Sequence, residues 1–308
     1  MGDPTLGTAP VSWGVWFADD DRQLPWQRCL DEIKDGGYEW IELGPYGYLP
    51  TDRDQLQDEL TSRGLKVSGT FAMGPLHDEK YWPTLEAEVV GACSALAAVG
   101  ADYPIVIDGT YSDLFTGELL GSPTLDEEGW QRLIETTHRV ARIAKERYGL
   151  RAVFHPHAET HVETEEQIER FLGDTDHDLV GMCLDTGHHA YKGGDPVEFL
   201  KAHSDRIEYF HLKNVDADIL ERVNGERIPF ARAVEMDVFC EPSRGVVDFE
   251  ELASVFNSIR FDGHLTVEQD MYPAPPDKPY PIARRTHEYL QSLGFGTALE
   301  RPGEGSSR

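Results

Sequence analysis

The feature that most constrains this chain is an alternation, repeated eight times, of a short apolar run of strand length with a longer segment of helical pattern. Strands are expected from Thr8 to Val15, Tyr38 to Leu43, Leu65 to Phe71, Tyr103 to Asp108, Leu150 to Phe154, Leu179 to Leu184, Ile207 to Leu212 and His264 to Glu268. Helices are expected between and after them, from Pro25, Asp52, Trp82, Leu125, Thr164, Asp195, Asp248 and Pro281. Asp52 has the chemistry of a helix N-cap, and Thr164 with Gln167 that of a capping box. Strand-then-helix units with polar loops after each strand favour a closed (β/α)₈ TIM barrel of the α/β class over an open doubly wound sheet. An open sheet would carry a Gly-rich phosphate loop after its first strand, and Trp13-Gly14-Val15-Trp16 is not one. The chain therefore reads as one barrel domain over residues 1–295, with a top-face insertion at 214–247 and a disordered tail at 296–308.

Acidic residues outnumber basic ones 56 to 28, for a formal charge of -28. Such a surface repels nucleic-acid backbones and anionic membranes, and no run of Lys and Arg makes a local exception, so neither is an expected partner. Cys29, Cys93, Cys183 and Cys240 are scattered without a C-x-x-C pair and read as buried reduced thiols. With no basic-then-apolar leader and no apolar stretch of membrane-spanning length, a cytoplasmic location is expected.

In a barrel, inward-pointing residues from different strands meet at the top, so polar residues at strand ends are the candidates for chemistry. They are Glu42, Asp108, His155, His157, Asp185, His188, His211, Lys213 and Glu268. His155, Asp185, His211 and Glu268 come from strands five to eight, and mixed imidazole and carboxylate ligation suits Mn²⁺, Mg²⁺, Co²⁺, Fe²⁺ or Zn²⁺. His161, His177 and His189 read as ordinary loop or surface histidines. The aromatics Trp13, Trp16, Tyr46 and Tyr48 are either core packing or the wall of a sugar pocket; the second reading gives Trp13, Trp16 and Tyr46 to the substrate.

The stretches Ala9-Pro-Val-Ser-Trp-Gly-Val-Trp16, Ile41-Glu-Leu-Gly-Pro-Tyr-Gly-Tyr-Leu-Pro50, His155-Pro-His157, Leu184-Asp-Thr-Gly-His188, His211-Leu-Lys213 and Gly245-Val-Val-Asp-Phe249 resemble the inosose dehydratase branch of the xylose-isomerase-like, or sugar phosphate isomerase/epimerase, superfamily. The resemblance runs from about residue 8 to 293. It implies a barrel with one divalent metal at the top, most often Mn²⁺, and puts Asp185, His211 and Glu268 on ligand positions. The fourth ligand, usually a Glu at the end of strand five, is open between His155, preferred because it lies at the strand end, and Glu163 in the following loop. His157, His188 and Lys213 would line the substrate with Glu42 at the far wall, and act as catalytic groups. A metal held there would act as a Lewis acid on a ketone oxygen and a neighbouring hydroxyl of a keto-sugar or keto-polyol.

The activity so implied is a dehydratase acting on inosose or a related cyclic keto-polyol through an enediolate. The alternatives are a keto-sugar 3-epimerase or isomerase, which shares the first half of the reaction, and a catalytically silent barrel used as a binding subunit. A homo-oligomer is expected for such barrels. Three positions depart from the branch pattern: Glu159, where a Gly is common, Asn214, where Asp is usual, and Ser243-Arg244-Gly245 in place of a Gly-x-Gly turn.

Overall fold

Apolar runs buried on both faces pair most readily as parallel strands under a cover of helices. In the computed structural model, which describes residues 4–296, the chain forms β1 (Thr5–Thr8), β2 (Trp40–Glu42), β3 (Lys66–Gly74), β4 (Tyr103–Asp108), β5 (Ala152–Phe154), β6 (Val180–Asp185), β7 (Ile207–Leu212), β8 (Asn214–Val215), β9 (Phe239–Cys240) and β10 (His264–Val267). All but β8 and β9 close into a parallel barrel in the order β1-β10-β7-β6-β5-β4-β3-β2. The helices are α1 (Trp26–Asp35), α2 (Arg53–Arg63), α3 (Trp82–Val99), α4 (Glu127–Ile143), α5 (Glu165–Asp174), α6 (Thr186–Tyr191), α7 (Pro196–His203), α8 (Ala217–Glu226), α9 (Phe230–Glu235), α10 (Phe249–Ile259) and α11 (Pro279–Ser292). The expected tail lies, from residue 297 onward, outside the described residues.

Local chemistry sets where the helices begin and end. The Asp52 side chain accepts from the Gln55 amide at the start of α2, and Gly64 closes that helix at φ 65°, the left-handed conformation that a Cβ disfavours. Thr164 and Gln167 make the reciprocal capping box ahead of α5. One expectation needed correction. The first strand stops at Thr8, because Pro10 has no N–H for a ladder and opens a 3₁₀ turn, Pro10–Trp13, instead. The insertion also has structure of its own, since β8 pairs antiparallel with β9, and α8 and α9 lie between them.

Two apolar layers result. Ile105, Ile107, Val153, Cys183 and Tyr209 fill the barrel interior, and a much larger cluster packs the outside of the strands against the helices. Because strand side chains alternate, this inner set fixes the parity of every strand that contributes to it. With Val153, Cys183 and Tyr209 pointing inward, so do His155, Asp185 and His211 two residues on. With Ile105 and Ile107 inward, Asp108 points out of the barrel. All four cysteines are buried and free. Among the described residues no helix is long and apolar enough to cross a membrane.

Candidate metal and substrate site

Parity brings four side chains from four strands to one point. One ligand atom each from His155, Asp185, His211 and Glu268 lies within 4.8 Å of every other. Asp185 and His211 are register partners on β6 and β7. The His155 amide extends the ladder of β4 by donating to Val106, and that of Glu268 extends β7 by donating to Leu212. The spacings are those of atoms arranged about a shared centre rather than bonded to one another. Asp185 Oδ2 stands 3.5 Å from His155 Nε2 and 3.6 Å from His211 Nδ1, and His211 Nδ1 stands 3.2 Å from Glu268 Oε2.

The remaining atoms of these residues are already committed, which aims the free ones inward. Asp185 uses Oδ1 to cap α6, accepting from the Gly187 and His188 amides at 2.8 Å each. His155 Nδ1 is 2.7 Å from the Pro156 carbonyl and so carries the proton, leaving Nε2 as acceptor. His211 Nε2 donates to Glu42 Oε1 at 2.8 Å, which leaves Nδ1 to face Asp185 and Glu268. Asp185 Oδ2 and His211 Nδ1 are buried and make no hydrogen bond, Asp185 Oδ2 having the Lys213 ammonium beside it at 3.0 Å, and buried polar atoms in that state are costly. A divalent cation fits this donor set of two imidazoles and two carboxylates.

Charge is balanced in the ligand-free chain by Lys213, which is 1% exposed. Its Nζ lies 3.0 Å from Asp185 Oδ2, 3.0 Å from Glu268 Oε2 and 2.8 Å from Asp270 Oδ1. Burial works against every one of these charges, but the Lys213 ammonium holds Asp185 well below the usual carboxylate range. Against the same burial, His211 and Lys213 hold Glu268 at about 2, and Asp185, Asp270 and Glu268 hold Lys213 well above the usual lysine value. Asp270, raised mainly by burial to about 6 despite Lys213, is still an anion at neutral pH. The motif glycine Gly187 has a clear reason: a Cβ there would come 2.3 Å from Lys213 Cγ, so the lysine stem needs that space.

Above the ligands stands a wall of rings. His157 and His188 lie with centroids 3.8 Å apart. Burial, with His155 and Lys213 adding to it, pushes His157 down to about 3, and burial with His157 and Lys213 pushes His188 down as well, so both are neutral at pH 7. Phe230 from α9 stacks on His188 at 5.8 Å, and Phe239 from β9 approaches His188 at 5.2 Å and Lys213 Nζ at 5.0 Å. The insertion therefore returns two aromatic side chains to the site. Trp16 continues the wall, 6.2 Å from Phe230 and stacked on Tyr272 at 4.8 Å.

Other candidates sit elsewhere. Trp13 is fully buried with its indole N–H on Glu32 of α1, and Tyr46 is 41% exposed, its ring against Gly91 of α3; neither joins the wall. Glu42 is not a far wall but lies behind His211, accepting from it and from the Tyr209 hydroxyl at 2.9 Å. Glu163 is outside the four-ligand group, because its carboxylate is taken by the Tyr111 hydroxyl, the Glu159 amide and Lys192. His161 and His189 are buried, not surface residues, whereas His177 is exposed.

The departures from the branch pattern are explained locally. Glu159 adopts φ 65°, the conformation for which a glycine is suited, and its side chain is held by Ser112 Oγ at 2.8 Å with Lys192 at 3.6 Å. Asn214 is buried and donates to the Pro242 and Val247 carbonyls while accepting from the Val215 and Val247 amides. An aspartate there could not donate. Gly245 lies against Asn214, whose Oδ1 would be 2.2 Å from an added Cβ. Residue reasoning missed Asp270, Phe230, Phe239 and Tyr272; only Asp270 had a signal, two places beyond Glu268 and hence on the same side of the chain.

Residues 30–293 match the model of the xylose isomerase-like TIM barrel family. The chain is 32% identical over 306 residues to an inosose dehydratase of Geobacillus kaustophilus, covering 94% of each. To an inosose dehydratase of Clostridium beijerinckii it is 28% identical over 295 residues, covering 94% of this chain and 97% of that one. Solved structures share the fold. They include the probable 3-DHS dehydratase AsbF of Bacillus anthracis (TM-score 0.71, 13% identity, 93% of this chain and 98% of that one). The IOLI protein, solved with a binding zinc atom, matches with TM-score 0.70 and 19% identity over 96% of this chain and 100% of that one. A D-allulose 3-epimerase from Methylomonas sp. gives TM-score 0.69 and 15% identity over 95% and 99%. With the closed barrel, the family match over most of its length and a relative above 30% identity, this chain belongs to the xylose isomerase-like TIM barrel family.

Proposed function

We propose that the protein is a divalent-metal-dependent lyase that removes water from inosose (2-keto-myo-inositol) or a closely related cyclic keto-polyol. The observation that carries this reading is the convergence of one ligand atom each from His155, Asp185, His211 and Glu268, in a chain whose relatives over nearly their whole length are inosose dehydratases. His155, Asp185, His211 and Glu268 would hold the ion, a donor set open to several divalent first-row metals, of which the family resemblance favours Mn²⁺. When bound, such an ion supplies Lewis acidity to neighbouring ketone and hydroxyl oxygens of the substrate.

The side chains divide the remaining work by protonation state. Lys213, protonated throughout the physiological range, donates hydrogen bonds to a substrate oxygen and accepts no proton. His157 and His188 enter the reaction neutral and are able to take the proton from carbon and pass one to the departing hydroxyl. Trp16, with Phe230 and Phe239, offers apolar ring faces to the C–H face of a cyclitol and excludes water from the site. Glu42 orients His211 and does not touch substrate. We further take the enzyme to work as a homo-oligomer on a small-molecule substrate.

The test is elemental analysis of the purified protein, followed by incubation of the Mn²⁺-loaded protein with 2-keto-myo-inositol in buffered D₂O, watched by UV absorption and NMR. Loss of water with a growing enone band is expected. Deuterium uptake without water loss would replace the lyase with an epimerase or isomerase. A protein that neither retains metal nor turns over would be a binding subunit.

A further inference from the structure

The position of the Lys213 ammonium has a consequence for metal binding. Two of its three carboxylate partners, Asp185 Oδ2 and Glu268 Oε2, both at 3.0 Å, belong to residues of the four-ligand group. The ammonium is thus the counter-cation of the same carboxylates that a divalent ion would need. Its third partner, Asp270, is not in that group. Asp270 is 4% exposed, and its other oxygen lies 3.7 Å from His188 Nε2. The lysine stem lies against Gly187 and its Nζ 5.0 Å from the centre of the Phe239 ring, and the residue is 1% exposed, so the ammonium is largely withdrawn from water. A buried ammonium deprived of Asp185 and Glu268 would be an uncompensated charge beside a dication, and such charges are strongly unfavourable.

We infer that Asp270 is a positioning residue that retains the Lys213 ammonium beside the site when a divalent cation takes Asp185 and Glu268, so that the chain's own cation yields the ligands without being expelled. This rests on the metal-site reading above. Lys213 accordingly competes with metal, and Asp270 reduces that competition. The two residues should therefore be coupled in metal affinity, which an undirected negative charge near the ion would not produce.

The experiment is a double-mutant cycle on the full-length, metal-stripped protein, with Asp270→Asn, Lys213→Met and the pair. Mn²⁺ affinity is read by competition against a chelator, and folding is checked by circular dichroism. Asp270→Asn is expected to weaken Mn²⁺ about 10-fold when Lys213 is present and no more than about 2-fold in the Lys213→Met background, a coupling of the size found for contacting charged residues. Lys213→Met alone should tighten Mn²⁺. Equal weakening in both backgrounds, or none in the first, overturns the inference. Absence of Mn²⁺ binding by the unmutated protein is a different result and overturns the metal site itself. If Lys213→Met does not fold, Asp270→Glu decides: restored charge should return Mn²⁺ affinity to within about threefold of the unmutated protein, and affinity as weak as that of Asp270→Asn refutes a charge-holding role.

Discussion

Two groups of histidine and carboxylate side chains lie at strand ends of this barrel, and they differ in kind. His155, Asp185, His211 and Glu268 point inward with contacts of 3.2 to 3.6 Å between ligand atoms, and two of those atoms, Asp185 Oδ2 and His211 Nδ1, make no hydrogen bond. His77, Asp108 and His161 also bring their ligand atoms within 4.8 Å, but on the outward side of β4. There Asp108 Oδ1 accepts from the Leu76 amide, and Oδ2 takes His161 Nδ1 at 2.7 Å, a hydrogen-bond length. His161 Nε2 in turn meets the Ser122 carbonyl at 3.1 Å. His77 adds its ring edge-on at 4.7 Å. The second group ties the loops after β3, β4 and β5 together; only the first is arranged about a centre. Residue type and proximity alone do not make a metal site. What distinguishes the first group is how its atoms are used: in the second, Asp108 spends both oxygens and His161 both ring nitrogens on hydrogen bonds, and His77 Nδ1 alone of the three residues' ligand atoms is left unpaired.

The largest expected difference is in metal content. Asp185→Ala and His211→Ala should each lose stoichiometric metal and lower turnover on the order of 10³-fold or more. Asp108→Ala should keep its metal and instead lose about 1–3 kcal/mol of stability, the cost of leaving a buried donor such as the Leu76 amide unpaired. Metal analysis and denaturant titration of the three variants check this, and metal loss in Asp108→Ala would erase the distinction between the groups.

A smaller effect sharpens the same contrast from behind the first group. Glu42 touches the site only through His211 Nε2, so Glu42→Gln should weaken metal affinity about 10- to 100-fold, as loss of such a supporting carboxylate does. An unchanged dissociation constant would mean that His211 needs no orientation.

The smallest effects are opposite in sign on the pH axis. His157, at about 3 in the folded metal-free protein against the ordinary 6.5, stays neutral where the unfolded chain picks up a proton. Its contribution to stability is complete above pH 6.5 and is lost as pH falls through that window. His161 is pulled down by burial but raised further by Asp108, so its folded value lies above 6.5. Its contribution is complete below 6.5 and fades as pH rises through the folded value. Chemical denaturation near pH 5 and pH 8 should therefore show His157→Gln more destabilising at the higher pH, by about 2 kcal/mol over that interval, and His161→Gln more destabilising at the lower. Parallel pH profiles for the two variants would contradict these assignments.

Much of this architecture was legible because it is written in local chemistry. The helix from Trp82 to Val99 and the strands from Tyr103 to Asp108 and Ile207 to Leu212 occur with the bounds their periodicity predicts. Asp52 and Thr164 cap the helices they precede. Where the reading failed, non-local packing had decided. Trp13, left open between core packing and a substrate wall, turns into the core because Pro10 ends the strand and starts a helical turn. Asp108 ranked with the true inward group until the parity of Ile105 and Ile107 put it outside. That parity was itself readable, once it was known which of the alternating residues faced the barrel axis.

The sequence by itself determined the barrel, the strand ends that matter and the family, because strand and helix periods, caps and motif residues act over a few residues and survive without their surroundings. Only the tertiary structure decided that Phe230 and Phe239 return from the insertion to the site, that Glu42 lies against His211 Nε2, and that Lys213 is shared among Asp185, Glu268 and Asp270. Those facts depend on closing the barrel. Closure brings β2 across from β7 and folds the insertion over the strand ends, distances that no local pattern encodes.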